Sequence, residues 1–423
     1  MWGTVVEVVA ERKGLQELQV VLDDTAGTGG FVGTPSDRKG RLASATDSNP
    51  TYGRKAVPTN ASNDKAFSYP FLTGPATVGE RVLCNTTAVD LGLGTGGAHF
   101  VVARAEAGAD DARSGVAFEA RNTPADGHVM KLRYSPLQVN VPSVEAPESS
   151  YHELMERCDS LDDTPVVCCG LHSQVPLVAA AVKKAAPHLR VGYVMSDQAA
   201  LALSLSKVIA DARAAELLDC TVTTGQAFGG ELEAINLHSG LLAAAHIGGC
   251  DVLIAAIGPG LAGTGTPFGH GGVAQGEAIN AAAVLGGHPV VCLRLSQADT
   301  RARHQGISHH SSTALEKIAL TAALIALPAI PDEQWRVRID EQLAGIDNRC
   351  GHEAFQLEEP FYDEASLRGV SVTTMGRSYA DDPLFFEAAF AAGAVAAALA
   401  VKEEVDVNAL PPCVSQFNIL DTP

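Results

Sequence analysis

Aromatic side chains make up only 5% of this 423-residue chain. Long apolar runs are also missing. The longest uncharged one covers residues 388–401, and a spanning helix needs roughly 20 residues. A buried, alanine-rich helix is therefore expected there, with no membrane partner. Glu7, Glu11 and Arg12 interrupt the N-terminus early, so no secretory leader is expected. The nine cysteines form no C-x-x-C pair and no disulfide spacing. Free thiols and a cytoplasmic location are the expectation. Bases are outnumbered, 30 against 49 acids, for a net charge of −19. That excludes a general attraction to nucleic acid or to an anionic membrane, because the long-range term is repulsive. A local basic pocket is still open, since Arg301 and Arg303 stand close together.

What is present fits a folded α/β protein. Apolar residues reach 46% and charged residues 19%, the balance of ordinary globular domains. The length allows two or three of them. Residues 3–22 alternate apolar and polar around Lys13-Gly14, a β-hairpin pattern. Residues 24–65 are rich in Gly, Ser, Thr, Asn, Asp and Pro and read as a mobile insertion. Strand-like segments resume at 66–72, 81–85 and 99–103, with more extended chain at 127–144. Together, residues 1–145 read as a small N-terminal β domain, barrel-like.

From 151 to 423 the pattern changes. Apolar runs at 165–169, 190–195, 219–224, 251–257 and 289–295 alternate with helical stretches at 174–186, 198–217, 231–248, 274–286 and 312–326. This alternation implies a doubly wound, mostly parallel sheet with helices on both faces. Residues 328–360 read as an acidic helical excursion, 370–375 as a further strand and 383–401 as a final helix. Asp197 is placed to cap the second helix, Thr313 and Glu316 to form a capping box, and Asp382-Pro383 to open the last helix.

In such a sheet, ligands bind beyond the carboxyl ends of the strands, so the loops after the strands carry the functional argument. The first loop offers His172 as an acid, base or ligand, with Ser173 as a helix cap. The second offers Asp197, which can orient a histidine. The third, with Gly229, Gly230 and Glu231, offers backbone donors at the expected mouth of a helix. The fourth contains Gly258, Gly260 and Gly263, the letters of a dinucleotide fingerprint. Its helix starts late, however, and the next strand ends without the expected acid. An anion nest built with Thr264, Gly265 and Thr266 is the alternative. The fifth loop is dense in chemistry: Asp299, Arg301, Arg303, His304, His309 and His310. Arginine clamps carboxylate or phosphate, and histidine moves protons near neutral pH. His172, His270, His304, His309 and His310 all fall in loops assigned to one sheet edge. Neither H-E-x-x-H nor a known zinc spacing is present.

These motifs resemble an uncharacterised bacterial family, the domain of unknown function 3866 family. The likeness rests on Asn85-Thr-Thr-Ala-Val-Asp-Leu-Gly-Leu-Gly-Thr-Gly-Gly97, Lys131-Leu-Arg-Tyr-Ser-Pro-Leu137, Gly170-Leu-His-Ser-Gln174, Ala227-Phe-Gly-Gly230 with Asn236-Leu-His-Ser-Gly240, residues 258–266, and Arg303-His-Gln-Gly-Ile-Ser-His-His310. The resemblance implies no activity, because the family carries none to transfer.

The leading expectation is an enzyme, a hydrolase or transferase, acting on an anionic small molecule. Phosphorylated or nucleotide-like compounds are among the candidates. Residues 258–266 would hold the anion, Arg301 and Arg303 would neutralise it, and one of the histidines would move a proton. Two alternatives stay open: a non-catalytic ligand sensor or assembly module, and a metal-dependent hydrolase using the histidines with Asp299 or Glu231. The cofactor and any metal are unknown at this point. The alanine-rich helices suit either the core or a homo-oligomer contact.

Overall fold

The computed structural model describes residues 1–23, 63–90, 97–105, 127, 129–134, 137–197 and 201–401. The expected insertion falls almost wholly outside them, as do the turn residues 91–96. The chain forms two compact units, Met1–Arg121 and Asn122–Pro423.

The first unit is a closed five-stranded barrel. Strands β1 (Trp2–Arg12) and β2 (Leu15–Leu22) form the expected hairpin, turning at Gly14 with φ 82°. β3 (Asp64–Ser68), β4 (Arg81–Asn85) and β5 (Ala98–Arg104) complete it in the order β1-β2-β3-β5-β4, and β4 closes antiparallel onto β1. Alternate residues point inward, so Val5, Leu18, Val20, Ala66, Val82 and Val101 fill the interior. Two single-turn helices, α1 (Pro70–Thr73) and α2 (Thr87–Asp90), lie between strands.

The second unit opens with a short antiparallel pair, β6 (Val129–Lys131) and β7 (Val139–Val141), and helix α3 (His152–Arg157). Its centre is an eight-stranded sheet. The strands are β8 (Pro165–Cys169), β9 (Val191–Ser196), β10 (Cys220–Thr224), β11 (Leu232–Ala234), β12 (Val252–Ile257), β13 (His288–Cys292), then β16 (Leu324–Leu327) and β17 (Glu353–Gln356). Between β13 and β16 a two-residue pair, β14 (Leu295–Ser296) and β15 (Gly306–Ile307), closes a loop. The sheet order is β11-β10-β9-β12-β8-β13-β16-β17, and every pairing is parallel. β8, β9, β10 and β12 are buried along their whole length, apart from the half-buried last residue of β9. That is why they read as continuous apolar runs.

Helices cover both faces. α4 (Val175–Ala185), α5 (Lys207–Ala214) and α10 (Pro383–Val401) contribute to one core, and α6 (Leu237–Leu242) and α7 (Ala274–Val284) to the other. Two further helices, α8 (His309–Thr313) and α9 (Glu333–Ala344), lie nearer the strand ends. By length and composition α10 passes for a membrane span, yet 89% of its most apolar stretch is buried inside this unit.

Several local expectations are corrected. The helix expected at 312–326 is α8 followed by a π turn at Ala314–Ile318, and its last residues are strand β16. Ser308 caps α8, accepting from the His310 amide, so Thr313 starts no capping box. The helix expected from 231 begins as strand β11, and α6 starts only after Asn236, whose side chain caps it. Ser206, not Asp197, caps α5. Gln174 precedes α4 in helical conformation, so Ser173 is not its cap. Residues 370–375 hold only an isolated bridge, Thr374 to Arg377.

Candidate functional site

The sheet order places β8 between β12 and β13. The loops after those two neighbours therefore meet above the end of β8. Beneath them, the buried Gln275 of α7 donates through Nε2 to the carbonyls of Cys168 and Cys292, both at 2.8 Å, and ties the two strand ends together.

The loop after β12 is the glycine-rich one, and it folds back on itself. The Thr264 amide donates to the Gly269 carbonyl at 2.8 Å and the Gly271 amide to Ala262 at 3.0 Å. Thr266 Oγ1 accepts from the Gly269 amide at 3.1 Å, and Gly263 bridges His270. Gly260 and Gly265 take φ values of 93° and 79°, which glycine adopts without strain. The loop thus spends several of its polar groups on itself, and what it delivers to the strand ends is His270.

The loop after β13 delivers the rest. Residues 297–305 form the loop between β14 and β15, with Asp299 and His304 buried, and Gln342 of α9 braces its exit by accepting from the Ile307 amide at 2.8 Å. A Cβ on Gly306 would clash with that same Gln342 oxygen, and Gly306 has φ 71°. α8 then opens with His309 and His310.

Four imidazoles come together here. His270 stacks on His310 with ring centroids 4.0 Å apart and planes 10° apart. His309 lies 4.4 Å from His310 and 5.2 Å from His270. His304 lies 4.9 Å from His309 and 5.0 Å from His310. Gly272 makes the stack possible, because a Cβ there would sit 2.9 Å from His270 Nδ1 and from His310 Cβ. His304 Nδ1 bonds Ser308 Oγ at 2.7 Å, and His270 Nε2 bonds the Pro267 carbonyl at 3.0 Å. His270 Nδ1 and His309 Nε2 are buried with no hydrogen-bond partner among the described residues. Burial pushes all four rings toward the neutral form, His304 down to about 3 with help from Arg294 and Arg301.

A charged network adjoins the rings. Buried Arg294 reaches His310 Nδ1 at 3.3 Å and Asp299 at 3.5 Å. Arg301 grips Asp299 with two bonds, at 2.9 and 2.8 Å. Arg377 stands 3.7 Å from Asp299 and donates to Asp382 at 3.1 Å. The Arg301 bond holds the Asp299 carboxyl well below the usual carboxylate range. Burial lowers Arg294 to about 10, so it is still charged at neutral pH. Three guanidiniums thus face two carboxylates.

Of the residues picked from sequence, His304, His309, His310, Asp299 and Arg301 come together, and Arg303 lies exposed in the same loop. His172 has different partners: Ser206 Oγ at 2.6 Å and Tyr193 OH at 3.3 Å, with Tyr193 donating to the Ile257 carbonyl. Asp197 accepts from the Gln226 amide at 2.8 Å. The Gly229, Gly230 and Glu231 amides are used by Glu233 and by the hydroxyls of Thr223 and Thr221. The Glu231 carboxylate pairs with Arg213. Gly258 packs on Met195 and Leu201.

His270, Gly272, Arg294, Arg377 and Asp382 were not picked as site residues. His270 already stood out as one of the loop histidines. Arg294 carried a signal too, a charge at the end of an apolar run. Arg377 carried none and Asp382 only the letters of a helix cap, both being far along the chain and reaching the site only through the fold.

Residues 65–393 match the profile of a family described as "Protein of unknown function (DUF3866)". The chain belongs to this family. The matched span takes in the whole sheet, both loops of the site and the first part of α10. No curated protein and no solved structure matches the chain.

Proposed function

We propose that the chain is an enzyme, a hydrolase or group transferase, acting on an anionic small molecule at the carboxyl ends of β8, β12 and β13. One observation carries this reading: Arg294, Arg301 and Arg377 converge on the single carboxylate of Asp299, beside four neutral histidines. Asp382 balances one further charge, which leaves one positive charge over. A substrate anion supplies the missing negative charge. Arg301, 40% exposed at its side chain, is the arginine a ligand meets first. Burial holds His304 at about 3, too weak a base near neutral pH, so the half-buried His309 serves as the base in the cation-free protein. The self-bonded loop at 258–266 then acts as the support of His270 rather than as the anion's own cradle.

Calorimetric titration with inorganic phosphate and a panel of phosphate esters and carboxylates tests the reading. At least one should bind, and Arg301→Met should weaken it roughly 10- to 100-fold, the worth of charge-assisted hydrogen bonds. No binding from the whole panel, or equal binding by wild type and Arg301→Met, would refute it.

A further inference from the structure

We infer that His270, His309 and His310 form a three-nitrogen site for a borderline divalent cation of the zinc class. This goes beyond the anion reading and does not depend on it.

The argument starts from unpaired polar atoms. Buried polar groups in native proteins are nearly always hydrogen-bonded, and leaving one unpaired costs about 1–3 kcal/mol. Here His270 Nδ1 and His309 Nε2 are both buried without a partner among the described residues, within one cluster. His270 itself is only 5% exposed. His270, His309 and His310 each offer one ring nitrogen, and these three atoms all lie within 4.8 Å of one another. In a tetrahedral site with metal–nitrogen bonds of 2.0–2.1 Å, such atoms stand about 3.4 Å apart. The nitrogens need close in by little more than an ångström, and His270 and His310 must tilt out of their stack so that both in-plane lone pairs meet one ion.

The tautomers agree. The Pro267 carbonyl can only accept, so His270 Nε2 carries the proton and Nδ1 the lone pair. A ligating histidine fixed by a bond from its other nitrogen to a backbone carbonyl is the usual outer-sphere arrangement. A guanidinium can only donate, so the lone pair of His310 lies on Nδ1, facing Arg294 at 3.3 Å. A cation taking that lone pair displaces a long hydrogen bond and frees Arg294 for an anionic ligand. Gly272 leaves the approach to His270 Nδ1 clear.

The donor set names the class of cation. Three imidazoles and no carboxylate suit zinc and the later first-row divalent metals, not magnesium or calcium, which prefer oxygen. Three protein ligands also leave a fourth position open, the form of a catalytic rather than a structural site.

The test uses the full chain, stripped with chelator and then titrated with zinc and separately with cobalt(II). The expected result is one cation per chain by elemental analysis, with visible absorption bands of four-coordinate cobalt. His270→Ala and His309→Ala should each weaken binding by about 100-fold or more, beyond typical outer-sphere losses. Gly272→Ala should weaken it without removing a ligand. His246→Ala should leave it unchanged, because that ring bonds the Ser160 carbonyl instead. Failure of the wild-type chain to take up a stoichiometric cation overturns the inference, whatever the variants do. Unchanged affinity in His270→Ala or His309→Ala overturns it equally. Anion binding by the stripped protein would leave the enzyme reading standing even then.

Discussion

Asp382 lies between the start of α10 and the charged loop, and removing its carboxylate tests how that corner is held. It is fully buried. Ser296 Oγ donates to it at 2.6 Å, the Gln297 amide at 2.9 Å, the Ala298 amide at 3.3 Å and Arg377 Nε at 3.1 Å. Asp382→Ala takes the acceptor from all four donors, one of them charged, and only the Ala298 amide keeps another, Ser296 Oγ at 3.3 Å. Breaking a buried ion pair from one side costs about 3–5 kcal/mol, and the other bonds share that loss rather than adding to it in full. A loss of about 4 kcal/mol is the working figure. At the urea dependence of a domain this large, about 3 kcal/mol per molar or more, the midpoint falls by roughly 1 M. Far-UV circular dichroism against urea reads the shift. Asp382→Asn keeps an acceptor but turns an amide donor toward one of the others, so it should fall in between. Ser296→Ala should add to Asp382→Asn by less than its cost in the wild type, because the two share one bond, but by a measurable amount, because Ser296 Oγ also accepts from the buried Asp299 amide at 2.9 Å. A midpoint shift worth less than about 1 kcal/mol in Asp382→Ala would refute this account of the corner.

Other outcomes follow from the same contacts. A Cβ at Gly393 would sit 2.5 Å from the Val178 carbonyl oxygen and 2.6 Å from Ala181 Cβ; Gly393→Ala should force α4 and α10 apart and cost about 1–3 kcal/mol, and an unchanged unfolding midpoint would sink the point. Lys131 and Glu233 are a buried pair at 3.2 Å, so Lys131→Met alone should cost about 3–5 kcal/mol while Lys131→Met with Glu233→Gln regains much of it; a double variant no better than the single one would contradict this. Burial lowers His172 to about 4 from an ordinary 6.5. Between those values the unfolded chain binds a proton that the folded one does not. Stability is therefore full above pH 6.5 and falls by up to about 3 kcal/mol as pH drops to 4. His172→Gln should flatten that part of the pH–stability curve, and an unaltered slope would show that the ring is not held neutral.

The centre of the sheet was legible because β8, β9, β10 and β12 are buried on both faces. The run Val-Leu-Ile-Ala-Ala-Ile of β12 admits little else, and it lies within a residue of where the apolar run put it. Short elements were not legible. Leu324–Leu327 is a four-residue strand, too brief to show a period, and it was absorbed into the preceding helix. At 370–375 the alternation is real, but among the described residues no strand pairs with it beyond the Thr374–Arg377 bridge. Asp382 has the letters of a helix cap, yet its carboxylate is turned to Ser296 and Arg377. The histidine cluster was partly legible, since loop positions after β12 and β13 follow from strand order alone. The glycines at 258–265 misled in one respect. Their spacing speaks of backbone freedom, and only the fold shows that the freedom is used to turn a hairpin under His270.

The burial of α10 also has a bearing on how the protein is made. This helix packs on β8, β12, β13, β16 and α4, and it follows all of them in the chain. While the ribosome is still adding residues before 383, the side chains of Val167, Ile254 and Val290 on that face lack Phe385, Phe386 and Phe390 to cover them. The sheet cannot finish folding as it emerges. An apolar surface waits for α10, the kind of exposure that invites aggregation and engages chaperones. Nascent chains halted just before α10 should therefore be held by a chaperone, and those halted well after it released.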